Sequence, residues 1–420
     1  MDFSDEVPCS TVPCVVGRLL AYGCDSRVLV RDSDTLDVLA EFECECAVAS
    51  VRLSPDCGFL LVQFRRSAAL EVFDLDPQSD WHCRLDEGAA GVSYVRWAPG
   101  SRHLFTVSDF SLRTTAWSLA DGSSVSLPRL KHGLQGRGLC ASPDGRLLAL
   151  LERAEHRDHL SLVSTSTWQT EVRFATATED AADVCFCAQG DALCVWDGAS
   201  VALHALDGAL LGRYADGSAT GVHSCCWGAQ EASLAAVTSW DTALALLEPH
   251  ALAPAALLQQ PLHIRGPPSC VVYREESCGG TEGAQGAPPV HYAVSPLPVT
   301  LARHPVDKPG GASRGAMLAW SPDGSLLAAR STVVPTTVYL WDAERLALMV
   351  VLNHTQQVRA MEWQPGAGAP RLAISTGERC RACFYRSAPA CAHARASDRR
   401  RAQRLHVVSQ RRKYHLGAAG

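Results

Sequence analysis

The side chains that could do chemistry set the first question. Asp80, Asp86 and Glu87 place three carboxylates within eight residues, with Trp81 and His82 among them. Paired carboxylates can divide general-acid and general-base work, but these flank a turn and nothing in their spacing fixes one against another. Cys380, Cys383, Cys391 and His393 are zinc-donor types, yet the second half of the set is irregularly spaced, so no metal is assigned. The fifteen histidines are scattered, as at His132, His156, His159 and His223, with no partner at fixed spacing. Gly133, Gly136 and Gly138 precede no helical pattern, which predicts a loop before a strand and not a nucleotide cradle. A phosphate loop of the Gly-x-x-x-x-Gly-Lys-Ser/Thr type, a His-Glu-x-x-His pair and a Gly-x-Ser-x-Gly elbow are all missing. The expectation is a binding scaffold with no catalytic residue, cofactor, metal or small-molecule substrate.

The elements that carry these residues repeat. Residues 315–342 read as an apolar strand ending at Trp320, a Ser321-Pro322-Asp323-Gly324 turn, a second apolar strand, and a third ending at Trp341-Asp342. Proline presets φ in such a turn, the aspartate caps its own backbone and glycine takes positive φ. Equivalent turns start at positions 54, 98, 142, 188, 228, 321 and 364, with gaps of 44, 44, 46, 40, 93 and 43 residues. That is the roughly 40–45-residue period of WD40 blades, one gap being doubled. Arg18 to Asp32 reads as the middle of a degraded first unit lacking its turn. The predicted fold is an all-β, WD40-type β-propeller of seven to nine four-stranded blades, with an incomplete terminal blade. Trp196-Asp197 and Trp240-Asp241 fall out of phase and are read as decoys of the Trp-Asp signature.

At 420 residues, 47% hydrophobic and 20% charged, the chain can bury large cores, and a propeller gives each blade interface its own. No run of about 18 apolar residues predicts a membrane helix, and the acidic start, residues 1–6, lacks a signal-peptide pattern. The expected compartment is the cytoplasm. Eighteen cysteines, many inside strands as at Cys44, Cys46, Cys140, Cys185, Cys187, Cys225 and Cys226, read there as small buried hydrophobes.

Two stretches interrupt the pattern. Residues 248–314 are rich in proline and glycine and predict a long insertion, with 277–289 a surface loop and possible strands at Cys270–Tyr273 and His291–Val294. After Gly377 the repeat is expected to fail, so the propeller domain is bounded at 1–377. Residues 378–420 carry eleven Lys/Arg against Glu378 and Asp398, a basic tail of net +9 read as disordered; residues 1–377 then carry −15 of the overall −6. An acidic body argues against a broad phosphate-binding face, so nucleic acid is not expected as a partner.

The segment Asp80-Trp81-His82-Cys83-Arg84-Leu85-Asp86-Glu87, with Phe110 to Leu119, Thr167-Trp168-Gln169 and residues 315–352, resembles a family of centrosomal and spindle-pole WD-repeat proteins, one of them encoded antisense to a tumour-protein gene. The resemblance covers about residues 18–377. It implies a non-enzymatic scaffold at the centrosome, spindle pole and ciliary basal body, working with the afadin- and α-actinin-binding protein and minus-end microtubule machinery. Family members carry an intact first turn and continue past position 377 with a further repeat. The departure here predicts an altered end and imperfect ring closure. Asp80, Trp81, His82, Asp86 and Glu87 are the candidate partner-binding residues. The alternative function is a degenerate propeller in RNA or translation-factor assembly.

Overall fold

A computed structural model describes residues 10–11, 14–33, 35–65, 67–133, 136–215, 222–228, 235–239, 243–265, 270–277, 290–303, 317–363, 370–376, 381–386 and 406–407. The architecture is an all-β propeller. Among the described residues its sheets follow one another along the chain, seven antiparallel ones with four strands and one mixed sheet with six, besides a two-stranded pairing of His263–Ile264 with Val299–Thr300. No described helix is long and apolar enough to cross a membrane.

Each four-stranded sheet is a meander, and first strands of neighbouring sheets come together, as Leu139–Ala141 meets Asp183–Phe186 and Val222–Trp227 meets Met317–Trp320. Middle strands are buried along almost their whole length, as in Phe59–Phe64 and Leu326–Arg330, whereas fourth strands such as Thr170–Ala175 and Leu210–Ala215 alternate towards solvent. Strand periodicity explains how one strand serves two cores. Leu60 and Val62 pack towards the first sheet, while Phe59 and Leu61 pack towards the third. Seven apolar clusters among the described residues each lie between consecutive sheets.

The turn chemistry recurs atom for atom. Ser54, Ser142 and Ser321 donate to Asp56, Asp144 and Asp323 at 2.6, 2.6 and 2.5 Å, and each serine oxygen accepts the backbone N–H five residues on at 2.9 Å. In the fifth sheet the turn starts at Cys187, one residue before the expected position 188. There a thiol replaces the hydroxyl: Cys187 Sγ donates to Asp191 Oδ1 at 2.8 Å and accepts from Ala192 N at 3.2 Å. Tryptophan at the end of a first strand fastens one sheet to the previous one. Trp97 Nε1 donates to Arg52 O at 3.1 Å, Trp320 to Cys226 O at 3.3 Å, and Trp363 to Ala319 O at 2.9 Å.

The irregular stretches differ from expectation in instructive ways. The degraded first unit is a full sheet, because Cys14–Val16 supplies its first strand ahead of Leu19–Cys24 and Arg27–Asp32. Pro254–Gln259 is the fourth strand of the sixth sheet, so the interruption begins later than position 248. Within it, Val271–Ser277 pairs parallel with Ala347–Asn353 and antiparallel with Val290–Val294, widening the seventh sheet to six strands. The pattern also continues past Gly377: Arg381–Arg386 pairs with Arg371–Thr376, and His406–Val407 completes the last sheet. The boundary expected at 377 therefore falls inside a sheet; the remainder of the basic tail lies outside the described residues. Burial raises the Cys14 thiol in the first sheet and Glu362 in the last sheet adds to the shift, so the two ends of the series lie within electrostatic reach.

Trp196-Asp197 closes the second strand of its sheet, Ala192–Trp196, whereas Trp341-Asp342 closes a third strand, Thr337–Asp342, as the phase requires. Trp240-Asp241 lies outside the described residues.

Candidate protein-binding surface

The five residues singled out from the sequence separate into two groups. A chain of side-chain caps shapes the loop before the strand His82–Asp86: Asp74 Oδ1 accepts Asp76 N at 3.0 Å, Asp76 Oδ1 accepts Gln78 N at 2.9 Å, and Ser79 Oγ accepts Trp81 N at 3.2 Å. Asp80, Trp81, His82 and Asp86 are all exposed on it. Trp81, 38% exposed, stands edge-on to Phe59 at 5.5 Å, and His82 lies over Phe73 at 6.4 Å. Arg102 caps the same Phe59 ring at 4.8 Å.

Glu87 points the other way. Its carboxylate, 1% exposed, accepts hydrogen bonds from Thr106 Oγ1, from Arg113 Nη2 and, at 2.7 Å, from Trp117 Nε1. Thr106 and Trp117 sit on the second and third strands of the next sheet, so Glu87 is a joint between two sheets and presents nothing to a partner. The sequence grouped Asp80, Asp86 and Glu87 as neighbours; the structure brings no two of these carboxylates together.

That joint organises a surface the sequence did not single out. Consecutive loops of a meander alternate between its two ends. Trp81 therefore shares an end with the Ser-Pro-Asp-Gly turns, where Asp56 N donates to Ser101 Oγ at 3.1 Å across two sheets. The loop 108–113 occupies the opposite end, held by Arg113 on Glu87, by Arg113 N donating to Ser108 Oγ at 2.9 Å, and by a 3-10 turn at Asp109–Ser111. Phe110 sits at φ +59° and ψ +18°, left-handed backbone that is uncommon for an aromatic residue and is imposed here by its surroundings. Phe110 is 79% and Leu112 64% exposed, the most exposed large apolar side chains among the described residues. Gly91 makes the clasp possible: it has φ +63°, and a Cβ there would meet Asp109 Oδ2 at 2.0 Å. An aromatic and an aliphatic anchor on a stiff loop have the form of an interaction hot spot. Their exposure is invisible to pattern reading, because Phe-x-Leu reads as strand; only φ and the neighbouring glycine expose the turn.

Other groups considered for chemistry have structural roles. His132 Nε2 lies 3.0 Å from Ala181 O beside Lys131, whose ammonium bonds Asp158 and Asp180, both at 2.7 Å. Gly136 and Gly138 take positive φ in a loop ahead of Leu139–Ala141, as expected, and Gly138 N donates to Asp183 Oδ1 at 2.7 Å. Burial pushes His223 and His354 down to about 4. His354 is locked in place with Tyr292 Oη at 2.6 Å from its Nδ1, and Glu275 takes Thr355 N at 2.7 Å, so this trio latches the inserted strands to the seventh sheet. A cavity of about 260 Å³ opens among the first four sheets, lined by apolar side chains with the guanidinium groups of Arg52 and Arg96. Arg52 stacks on Tyr94 and Arg96 donates to Leu139 O at 3.2 Å, which commits both to the scaffold. The Cys380, Cys383, Cys391 and His393 donor set lies outside the residues whose side chains are described.

No protein-family profile matches the chain. It is 34% identical over 400 residues, 90% of this chain and 85% of the relative, to the mouse WD repeat-containing protein WRAP73. Among solved structures, the β-propeller domain of the Myceliophthora Cps50 (Swd1) protein superposes with a TM-score of 0.49 at 12% identity, over 91% of this chain and 99% of that one.

Proposed function

Because the chain belongs to the WD-repeat family of WRAP73, a class of propellers that bind proteins, we propose that it is a non-enzymatic scaffold at the centrosome, spindle pole and ciliary basal body. In this reading it acts in the cytoplasm and cytoskeleton, supporting microtubule minus-end anchoring, spindle assembly and ciliogenesis. Its partners are the afadin- and α-actinin-binding protein and minus-end machinery. The eight successive sheets are read as eight blades of one ring, which the approach of Glu362 to Cys14 supports.

The observation that carries the scaffold reading is the Phe110–Leu112 loop. Two exposed apolar anchors, Phe110 in left-handed backbone, stand on a loop held by a buried carboxylate, an arrangement that raises affinity by pre-organisation and gives nothing to folding. Trp81 and Asp80 supply a second contact at the opposite end. Proximity labelling in dividing cells, comparing the wild-type chain with a Phe110→Ala/Leu112→Ala variant, tests the reading. Centrosomal and spindle-pole proteins are expected with the wild type and reduced with the variant. Ribosomal subunits or translation factors in their place would overturn it in favour of the RNA-machinery alternative.

A further inference from the structure

Three sulfur atoms meet in the seam between the fifth and sixth sheets. Cys185 and Cys194 are directly opposite one another on Asp183–Phe186 and Ala192–Trp196, and Cys225 comes from Val222–Trp227 of the next sheet. All three Sγ atoms lie within 4.8 Å of one another, and those of Cys194 and Cys225 are 3.7 Å apart. Cys194 and Cys225 are buried, and Cys185 keeps partial exposure. Trp196, Val201, Leu203, Val222 and Leu247 wall the seam.

Cysteine as a small hydrophobe accounts for isolated thiols such as Cys270, and hydroxyl mimicry accounts for Cys187. Neither accounts for three thiols converging from three strands. A second observation marks the same place. Trp227 holds the position from which Trp97, Trp320 and Trp363 each donate to a carbonyl of the preceding sheet. The Trp227 Nε1–H is buried and makes no such bond; it lies beside the Cys194 sulfur instead.

We propose that Cys185, Cys194 and Cys225 form a binding site for one thiophilic d10 cation, copper(I), held by three sulfur atoms. Ligands sharing an ion at a metal–sulfur distance of about 2.3 Å stand about 3.8–4.0 Å apart. The trio is within an ångström of that geometry, whereas a disulfide requires about 2.0 Å. Zinc asks for four donors, and among the described residues no histidine or carboxylate joins the three sulfurs. Soft sulfur ligands without a fourth donor select copper(I). The Trp227 N–H then serves as an outer donor to a bound sulfur, the kind of contact that tunes metal affinity.

Copper(I) binds as the intact ion, and the thiol protons it displaces as copper–sulfur bonds form pass to solvent, so no electron is transferred.

The test titrates the full-length chain, purified anaerobically without chelator, with copper(I) buffered by bicinchoninate. One equivalent is expected to bind with near-ultraviolet copper–thiolate absorption, a raised melting temperature and release of protons. Silver(I) is expected to compete for the same equivalent. Affinity should fall by about a hundredfold or more in Cys194→Ser and in the more exposed Cys185→Ser, and persist in Cys83→Ser, with far-ultraviolet circular dichroism confirming that each variant folds. Absence of stoichiometric binding by the wild type, equal binding by a folded Cys185→Ser, preference for zinc(II) over copper(I), or a Cys194–Cys225 disulfide in the anaerobic protein would each overturn the proposal.

Discussion

Replacing Glu87 separates a structural joint from a surface contact. The carboxylate is 1% exposed and receives three donors: Thr106 Oγ1, Trp117 Nε1 and Arg113 Nη2. In Glu87→Ala Trp117 Nε1 keeps Thr106 Oγ1 as an acceptor at 3.1 Å, and the threonine hydroxyl alone loses its acceptor. Two lost bonds to the carboxylate, with a desolvated hydroxyl left unsatisfied, cost about 2–4 kcal/mol. The Arg113 head is 48% exposed, so solvent screens its ion pair to about 1 kcal/mol at most. The alanine variant should therefore lose about 3–5 kcal/mol. Glu87→Gln keeps an acceptor for Thr106 and Trp117 and should lose only about 1–2 kcal/mol. Urea unfolding followed by tryptophan fluorescence measures both. An alanine variant within about 0.5 kcal/mol of wild type, the scatter of an ordinary surface substitution, would refute the argument. So would equal losses for alanine and glutamine.

Further expectations concern the same elements. Phe110→Ala and Leu112→Ala should leave stability within about 0.5 kcal/mol, since both side chains are already in water, while weakening partner capture by about tenfold or more in a pull-down titration. Gly91→Ala should destabilise by about 2 kcal/mol or more, because positive φ and the Asp109 carboxylate both oppose a Cβ; Gly122→Ala, at φ +69° with open space around it, should cost about 1 kcal/mol in the same melting assay. His223 and His354 titrate at about 4 in the folded chain and at about 6.5 unfolded, so the unfolded state takes up protons first. Stability should be intact above about pH 6.5 and fall as pH drops towards 4, by up to about 3 kcal/mol per histidine, and His354→Gln should flatten that slope in urea midpoints measured across the range. Trp363→Phe should cost about 1 kcal/mol for its lost bond to Ala319 O, and Trp227→Phe, with no carbonyl to lose, should cost less in a parallel melt.

Much of the fold was legible because the repeat is written in local chemistry. Ser-Pro-Asp-Gly turns set phase, and apolar strands between them set the sheets. Where the same geometry is built from different residues, reading failed by small steps. Cys187 performs the serine's two hydrogen bonds, so the turn expected from Ala188 starts one residue earlier. Cys57 takes the positive φ that Gly145 and Gly324 take elsewhere. Non-local pairing hid more. Nothing near Val271 announces a parallel partner at Val350, nor does the arginine-rich Arg381–Arg386 look like a third strand until it lies beside Arg371–Thr376. The site residues were legible by type and not by direction: Trp81 and Glu87 are six residues apart, yet one faces solvent and the other fills a seam. The cysteine trio was opaque for the same reason, since Cys194 and Cys225 are 31 positions apart and meet only because two sheets pack.

The strand Phe59–Phe64 sends odd and even residues into separate interiors. Adjacent positions in the chain are thereby mechanically insulated, while positions two apart, or on the next sheet, feel each other directly. A change of volume at Leu61 is met by Leu104 and Val95, and one at Leu60 by Val28 and Val30. A chain built in this way can lose its signature dipeptides one seam at a time and still hold its sheets together, because no single seam is required to remember the whole.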